Sequence, residues 1–351
     1  MKTDEQLIRR RTIVRRLLLA LVLSGCGAVA VFFLFRFEAF SLRPLWLLAV
    51  VLVIIMMWYF DALSFWFLLR GIDQHIPYRK IFAVNMAGTF VAFITPFYAG
   101  GAPTFMYFLT QEGMPFSQAA TASTARIFVS TALFSLILPL LLVLLGSQFN
   151  LGVLWQTLFS LPILLVVLLM VLLILYTRKS KQPAAYSRRI QSWPLRNWLR
   201  NVRFRRIWRW SLVEGKKMRQ AFSGLLRFGW KNLLLALVAV FFYWLCTFMV
   251  APLLLYSMGF FDFAFLPMFL AQAMLSIVLP LSPTPGGAGA AELGFASVFL
   301  TLVPKTMVGS FTLLWRIGTY YISLAVGSLF FFALLRKRRP SLIINPTPNE
   351  E

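Results

Sequence analysis

The 351-residue chain contains one histidine, two cysteines and only 11 acidic residues. Each scarcity removes a class of chemistry. The lone imidazole, His75, lies in the short polar loop RGIDQHIPYRK and leaves no histidine-metal cluster to build; an ordinary surface role is expected of it. Cys26 and Cys246 both sit in apolar segments, so a structural disulfide or thiolate metal site is not expected. A glycine-rich nucleotide loop ending in Lys-Ser/Thr is missing, which argues against an ATP-driven pump. No cofactor or metal is therefore anticipated. A membrane transferase using an Asp or Glu base stays open, although its acidic residues would have to be drawn from a thin scatter.

What the chain has instead is apolar mass. Residues of apolar type make up 60% of it, with 36 Phe, 13 Met and 11 Trp, and the mean hydropathy is +0.79. These values exceed those of soluble globular domains. Several nearly charge-free runs are long enough to cross about 30 Å of hydrocarbon as helices. They recur to the end of the chain, so an all-α polytopic membrane protein is expected rather than a secreted domain behind a cleaved signal. The formal charge of +23 could suggest nucleic acid. The basic residues, however, lie between apolar runs, where they orient spans and meet anionic headgroups.

The charge pattern divides the chain. Residues 1–16 form a basic, cytoplasmic amino terminus, and 17–176 form a first membrane half with spans near 17–35, 44–69, 117–145 and 153–176. Residues 177–228 hold a basic segment with fifteen Arg or Lys among residues 177–227. Its interleaved Trp193, Trp198, Trp208 and Trp210 suit amphipathic helices in the headgroup plane better than base stacking. A second membrane half, 229–338, has spans near 231–257 and 307–335, and 339–351 read as a flexible cytoplasmic tail. Both termini are expected in the cytoplasm.

Two apolar stretches are interrupted. TPFYAGGAP at 95–103 and PTPGGAGAAE at 283–292 place proline and glycine where a helix would have to continue. A kinked span is one solution. A re-entrant helical hairpin is favoured, near 81–112 from the cytoplasmic side and near 263–303 from the outer side. Sliding one half over the other brings Pro96 onto Pro283, Gly100 onto Gly287 and Asn85 onto Gln272. Six full spans and two opposed hairpins then make an inverted repeat of the kind found in secondary transporters.

Charges inside such runs are costly and face protein or water. Arg126 and Arg316 lie well into their spans, and an arginine fork suits phosphate. Either could bind a ligand phosphate or pair with a hairpin carboxylate or carbonyl. Glu292 could cap the helix after the second break, or pair with Arg126, Arg316, a cation or a proton. Asp61, Glu112 and Asp262 lie where solvated roles near span ends are cheap. Thr95, Ser282 and Thr284 could offer hydroxyls to a ligand or to the freed backbone. The candidate transport set is Asn85, Thr95, Pro96, Gly100, Gly101, Arg126, Gln272, Pro283, Thr284, Gly286, Gly287, Glu292 and Arg316.

The combination of Asn85-x-x-Gly88, TPFYAGGAP, Arg126 and PTPGGAG-x-x-Glu292 resembles the lysylphosphatidylglycerol synthase transmembrane region family of flippase-like proteins, over about residues 12–338. The resemblance implies a bacterial or archaeal inner-membrane protein that moves phospholipids or glycolipids between leaflets. About a dozen residues follow the closing RKRR, too few for a soluble aminoacyl-transfer domain, so synthesis of lysylphosphatidylglycerol is not expected. The implied partners are anionic membrane lipids and not nucleic acid; a homodimer and a lipid-biosynthetic enzyme partner are both compatible with it. A membrane enzyme or accessory subunit acting on a polyprenyl-phosphate or phospholipid is the alternative. A scaffold that recruits a soluble partner through its basic segment is a third.

Overall fold

Pro44 opens helix α1 (Pro44–Gly71), where its missing N–H costs nothing because first-turn donors have no intrahelical acceptor. A computed structural model describes residues 41–145, 217–218, 220–227 and 229–336. The expected spans near 17–35 and 153–176 and nearly all of the basic segment lie outside them. With 28 residues, α1 is about 42 Å long, ample for the bilayer. Two further helices are long and apolar enough to cross: α5 (Trp230–Ser257) and a continuous helix over Lys305–Arg336. That last helix comprises α8 (Lys305–Arg316), a π turn (Ile317–Tyr321) and α9 (Ile322–Arg336).

Between these, among the described residues, run four shorter helices and one of 30 residues over Phe116–Leu145. Helices α2 (Tyr78–Phe93) and α3 (Gly101–Gln111) flank a 3-10 turn at Pro96–Tyr98, and α4 (Phe116–Leu145) follows. Later, α6 (Phe265–Val278) and α7 (Ala290–Phe299) flank 3-10 turns at Leu279–Leu281 and Pro285–Gly287. At 16 residues, α2 reaches about 24 Å, and α3 with 11 is shorter still. Neither arm spans the hydrocarbon alone. Lys80 Nζ contacts Glu112 Oε2, so the two ends of the first broken segment lie together. Its arms pack at Gly88, where a Cβ would come within 1.9 Å of the Phe105 ring. That close approach is what the glycine of the Asn85-x-x-Gly88 pattern provides.

Two apolar cores divide the molecule lengthwise. One gathers Phe65 and Leu69 of α1, Phe90 of α2, Phe105 of α3, Val240 of α5 and Phe331 of α9. The other gathers Ile54 of α1, Val250 of α5, Met268 of α6, Phe295 of α7 and Phe311 and Trp315 of α8. All three long helices therefore run through both cores, while each broken segment belongs to one. The first packs toward the end marked by Gly71, Trp230 and Arg336, and the second toward the end marked by Pro44, Ser257 and Lys305. The Arg43 N–H donates to the Ser257 carbonyl at 2.8 Å and closes this second end. Leu45, Leu48, Leu234 and Leu329 stay exposed on the outer face, a surface suited to acyl chains.

The two breaks share a backbone course through the first turn and diverge after it, where Ala99 (ψ −22) is helical and Ala288 (ψ 136) extended. Phe97 (φ 55, ψ 19) and Gly286 (φ 61, ψ 15) occupy equivalent left-handed positions, followed by Tyr98 at φ 54 and Gly287 at φ 68. Pro96 thus corresponds to Pro285, two residues beyond the Pro283 that the sequence match selects. In this register Arg126 lies thirty residues after Pro96 and Arg316 thirty-one after Pro285. The tips also touch, because the Phe97 N–H donates to the Ser282 carbonyl at 3.1 Å.

Candidate functional site

Two arginines stand about 15 Å into their helices, Arg126 in α4 and Arg316 at the end of α8. Each meets a carboxylate from another element. Arg126 Nη2 lies 2.6 Å from Asp61 Oδ1 and 2.7 Å from Oδ2, and Asn85 Nδ2 donates to Oδ2 at 2.9 Å. The guanidinium carbon sits 4.6 Å from the Phe105 ring centroid and 5.3 Å from that of Phe65, where the rings' negative faces favour the cation. Arg126 Nη1 and Asn85 Oδ1 are buried without a hydrogen-bond partner among the described residues. Ser123 Oγ, one helical turn before Arg126, is in the same condition.

The second cluster is more closed. Arg316 Nε donates to Glu292 Oε1 at 2.9 Å, and its Nη2 donates to the Gly286 carbonyl at 2.7 Å. Glu292 Oε2 accepts from the Gly289 N–H at 2.7 Å. The carboxylate therefore caps α7 and neutralises Arg316 at once, so the two roles expected from sequence coexist. The π turn after Arg316 brings Tyr320 round, its ring centroid 4.0 Å from the guanidinium carbon. That ring stacks on Phe93 at 5.1 Å, and its hydroxyl donates to the Phe93 carbonyl at 3.4 Å. Gly286 is required here twice over. Its φ is positive, and an added Cβ would lie 2.3 Å from the Tyr320 ring.

The remaining candidates sort by what they touch. Thr95 Oγ1 donates to the Val91 carbonyl at 2.8 Å and accepts from the Gly100 N–H at 2.9 Å. Thr284 Oγ1 donates to the Ala288 carbonyl at 2.8 Å and meets Ser282 Oγ at 2.8 Å. Both threonines satisfy backbone freed by the breaks. Pro96 starts the first turn, Gly100 and Gly101 lead into α3, and Gly287 completes the second turn. Pro283 is exposed between Ser282 and Thr284. Gln272 is buried in α6 with no partner for its Nε2 among the described residues. Among the described residues no group of three His, Cys, Asp or Glu could hold a metal ion.

Asp61 and Tyr320 belong to the clusters although the candidate set omits them. A carboxylate deep in α1 was itself a signal. Tyr320 follows Arg316 by four residues, a spacing that places two helical side chains on one face.

An Archaeoglobus fulgidus protein described as a UPF0104 membrane protein is 26% identical over 298 residues, covering 82% of this chain and 86% of the relative. No solved structure matches the chain. The sequence profile of the lysylphosphatidylglycerol synthase TM region family matches residues 17–327, and the chain belongs to that family.

Proposed function

We propose that this protein moves a lipid with an anionic headgroup between the leaflets of a bacterial or archaeal cytoplasmic membrane. The family description concerns the membrane region of an enzyme of phospholipid modification, which makes lipid the first substrate class to consider. The two broken segments act as opposed re-entrant hairpins in an inverted repeat, with their tips meeting near the midplane. Their placement in separate cores and the Phe97–Ser282 contact support that arrangement. The basic residues Arg70, Arg79, Lys80 and Arg336 cluster at the end carrying the first hairpin, which supports a cytoplasmic placement of that end.

One observation carries the proposal: Arg126 Nη1 is a buried donor with no partner among the described residues, on a guanidinium held well inside the membrane. A headgroup phosphate oxygen supplies what this donor lacks, while the acyl chains remain outside in lipid. Phe97 lies at the hairpin tip with 55% of its surface exposed and φ at 55°. A bulky residue is strained in that conformation. It presents an apolar face where the headgroup would pass the tips.

The test is dithionite quenching of headgroup-labelled phospholipids and glycolipids in proteoliposomes. Faster loss of inner-leaflet fluorescence is expected for phosphatidylglycerol and other anionic lipids than for an uncharged glycolipid. Folded protein that accelerates no lipid class would refute the proposal.

A further inference from the structure

Arg126 and Asn85 grip opposite sides of one chemical question, the protonation state of Asp61. Arg126 Nη2 contacts both oxygens of the Asp61 side chain, an arrangement that suits a carboxylate. Asn85 is fully buried and donates to Oδ2 through Nδ2, yet its own carbonyl oxygen has no donor. A primary amide can make two complementary hydrogen bonds with a carboxylic acid, giving one N–H and receiving one O–H. Only the first is made here. The unused Asn85 Oδ1 is the acceptor that a protonated Asp61 would need.

The other arm of the site explains when that proton would arrive. An anionic headgroup on Nη1 would share a single guanidinium with Asp61, and two anions that close repel strongly in a poorly solvated site. Little else nearby could offset the second negative charge. Helix α4 contributes Arg126 itself, α2 contributes neutral Asn85 and Tyr78, and α5 contributes Tyr243, whose hydroxyl lies within electrostatic reach of Asp61 and Arg126. The π turn packed on α1 carries Tyr320 and Tyr321 and no charged side chain.

We propose that binding of a monoanionic headgroup at Arg126 is coupled to uptake of one proton by Asp61, so that the protein carries a proton together with each lipid. The charge balances. The empty site holds Arg126⁺ and Asp61⁻. The loaded site holds Arg126⁺, the headgroup phosphodiester anion and neutral Asp61, whose new O–H is donated to Asn85 Oδ1. Both states are neutral, so the site crosses its empty and loaded forms without moving net charge. The coupling rests on the translocation proposal, and its test separates the two.

The experiment is calorimetric titration of the full-length protein in detergent with dioctanoyl phosphatidylglycerol, in buffers of different ionisation enthalpy, with uncharged dioctanoylglycerol as control. About one proton should be taken up per lipid bound, and affinity should fall by up to about tenfold per pH unit on the alkaline side. In Asp61→Asn the guanidinium loses its competing anion. Binding should then be pH-independent, proton uptake should vanish, and affinity at alkaline pH should exceed that of the wild type. Wild-type protein that binds phosphatidylglycerol without proton uptake would overturn the coupling and leave translocation standing, and this result needs no variant to fold. Asp61→Asn that keeps the wild-type pH slope would overturn the coupling as well. Folded wild-type protein that binds no phosphatidylglycerol would remove both proposals together.

Discussion

The two arginine–carboxylate pairs differ in how completely they are closed. The Arg316 and Glu292 side chains are 3% and 2% exposed, and their bonds extend to Gly286 and Gly289 at the second tip. Arg126 and Asp61 are 16% and 19% exposed, and a guanidinium nitrogen, Nη1, remains unpaired. The closed pair ties one element to another: α7, the second turn, α8 and, through Tyr320, the first hairpin. The open pair has donor capacity to spare. On the proposed function the difference separates an arginine that serves the fold from one kept for a ligand, with unused hydrogen bonds as the distinguishing mark.

Substitution at the closed pair should have the largest effect on folding. Arg316→Ala leaves Glu292 without its cation, and removing one partner of a buried pair costs about 3–5 kcal/mol. A marked fall in the yield of folded protein and in its unfolding midpoint in detergent is expected. The double variant Arg316→Met with Glu292→Gln should recover much of that loss, since neither member is then a buried lone charge. Equal damage by the single and double variants would break the contrast.

Gly286→Ala should come next. Its Cβ would overlap the Tyr320 ring, and its left-handed φ disfavours any side chain, together costing about 1–3 kcal/mol. Pairing it with Tyr320→Ala should relieve the overlap but not the backbone cost, giving partial recovery in thermal unfolding. Phe97→Gly sharpens the contrast from the other hairpin. Relief of its backbone strain should leave stability unchanged or raised by about 1 kcal/mol, while lipid movement slows because the exposed aromatic face is lost. Lys80→Ala should have the smallest effect, within about 1 kcal/mol, because that contact lies near the surface.

The breaks were legible because proline and glycine act locally, and TPFYAGGAP and PTPGGAGAAE announce non-helical backbone without knowledge of any neighbour. Their register was not. PTP offers two prolines, and only the repeated left-handed positions at Phe97 and Gly286 select Pro285 over Pro283. Arg126, Arg316 and Glu292 stood out as charges in apolar runs, but their pairing depends on which helices cross. Sequence left Glu292 open to either arginine, whereas α8 delivers Arg316 to it and α1 delivers Asp61 to Arg126. Tyr320 was legible only as the fourth residue after Arg316; that its ring lies over the guanidinium across a π turn is seen in the structure. Thr95 and Thr284 show the reverse case. Sequence left their hydroxyls open to a ligand or to the freed backbone, and in the structure they bond backbone at the breaks.

The most direct measurement compares initial rates of phosphatidylglycerol movement in proteoliposomes for wild type and Arg126→Ala at matched amounts of folded protein. A rate at least about tenfold lower is expected, corresponding to loss of a charge-assisted phosphate contact of about 1.5–3 kcal/mol, with a smaller fall in the unfolding midpoint than Arg316→Ala produces, because the Asp61 left behind is partly solvated. An Arg126→Ala protein that is folded and moves the lipid at the wild-type rate would contradict the assignment of Arg126 as the headgroup site.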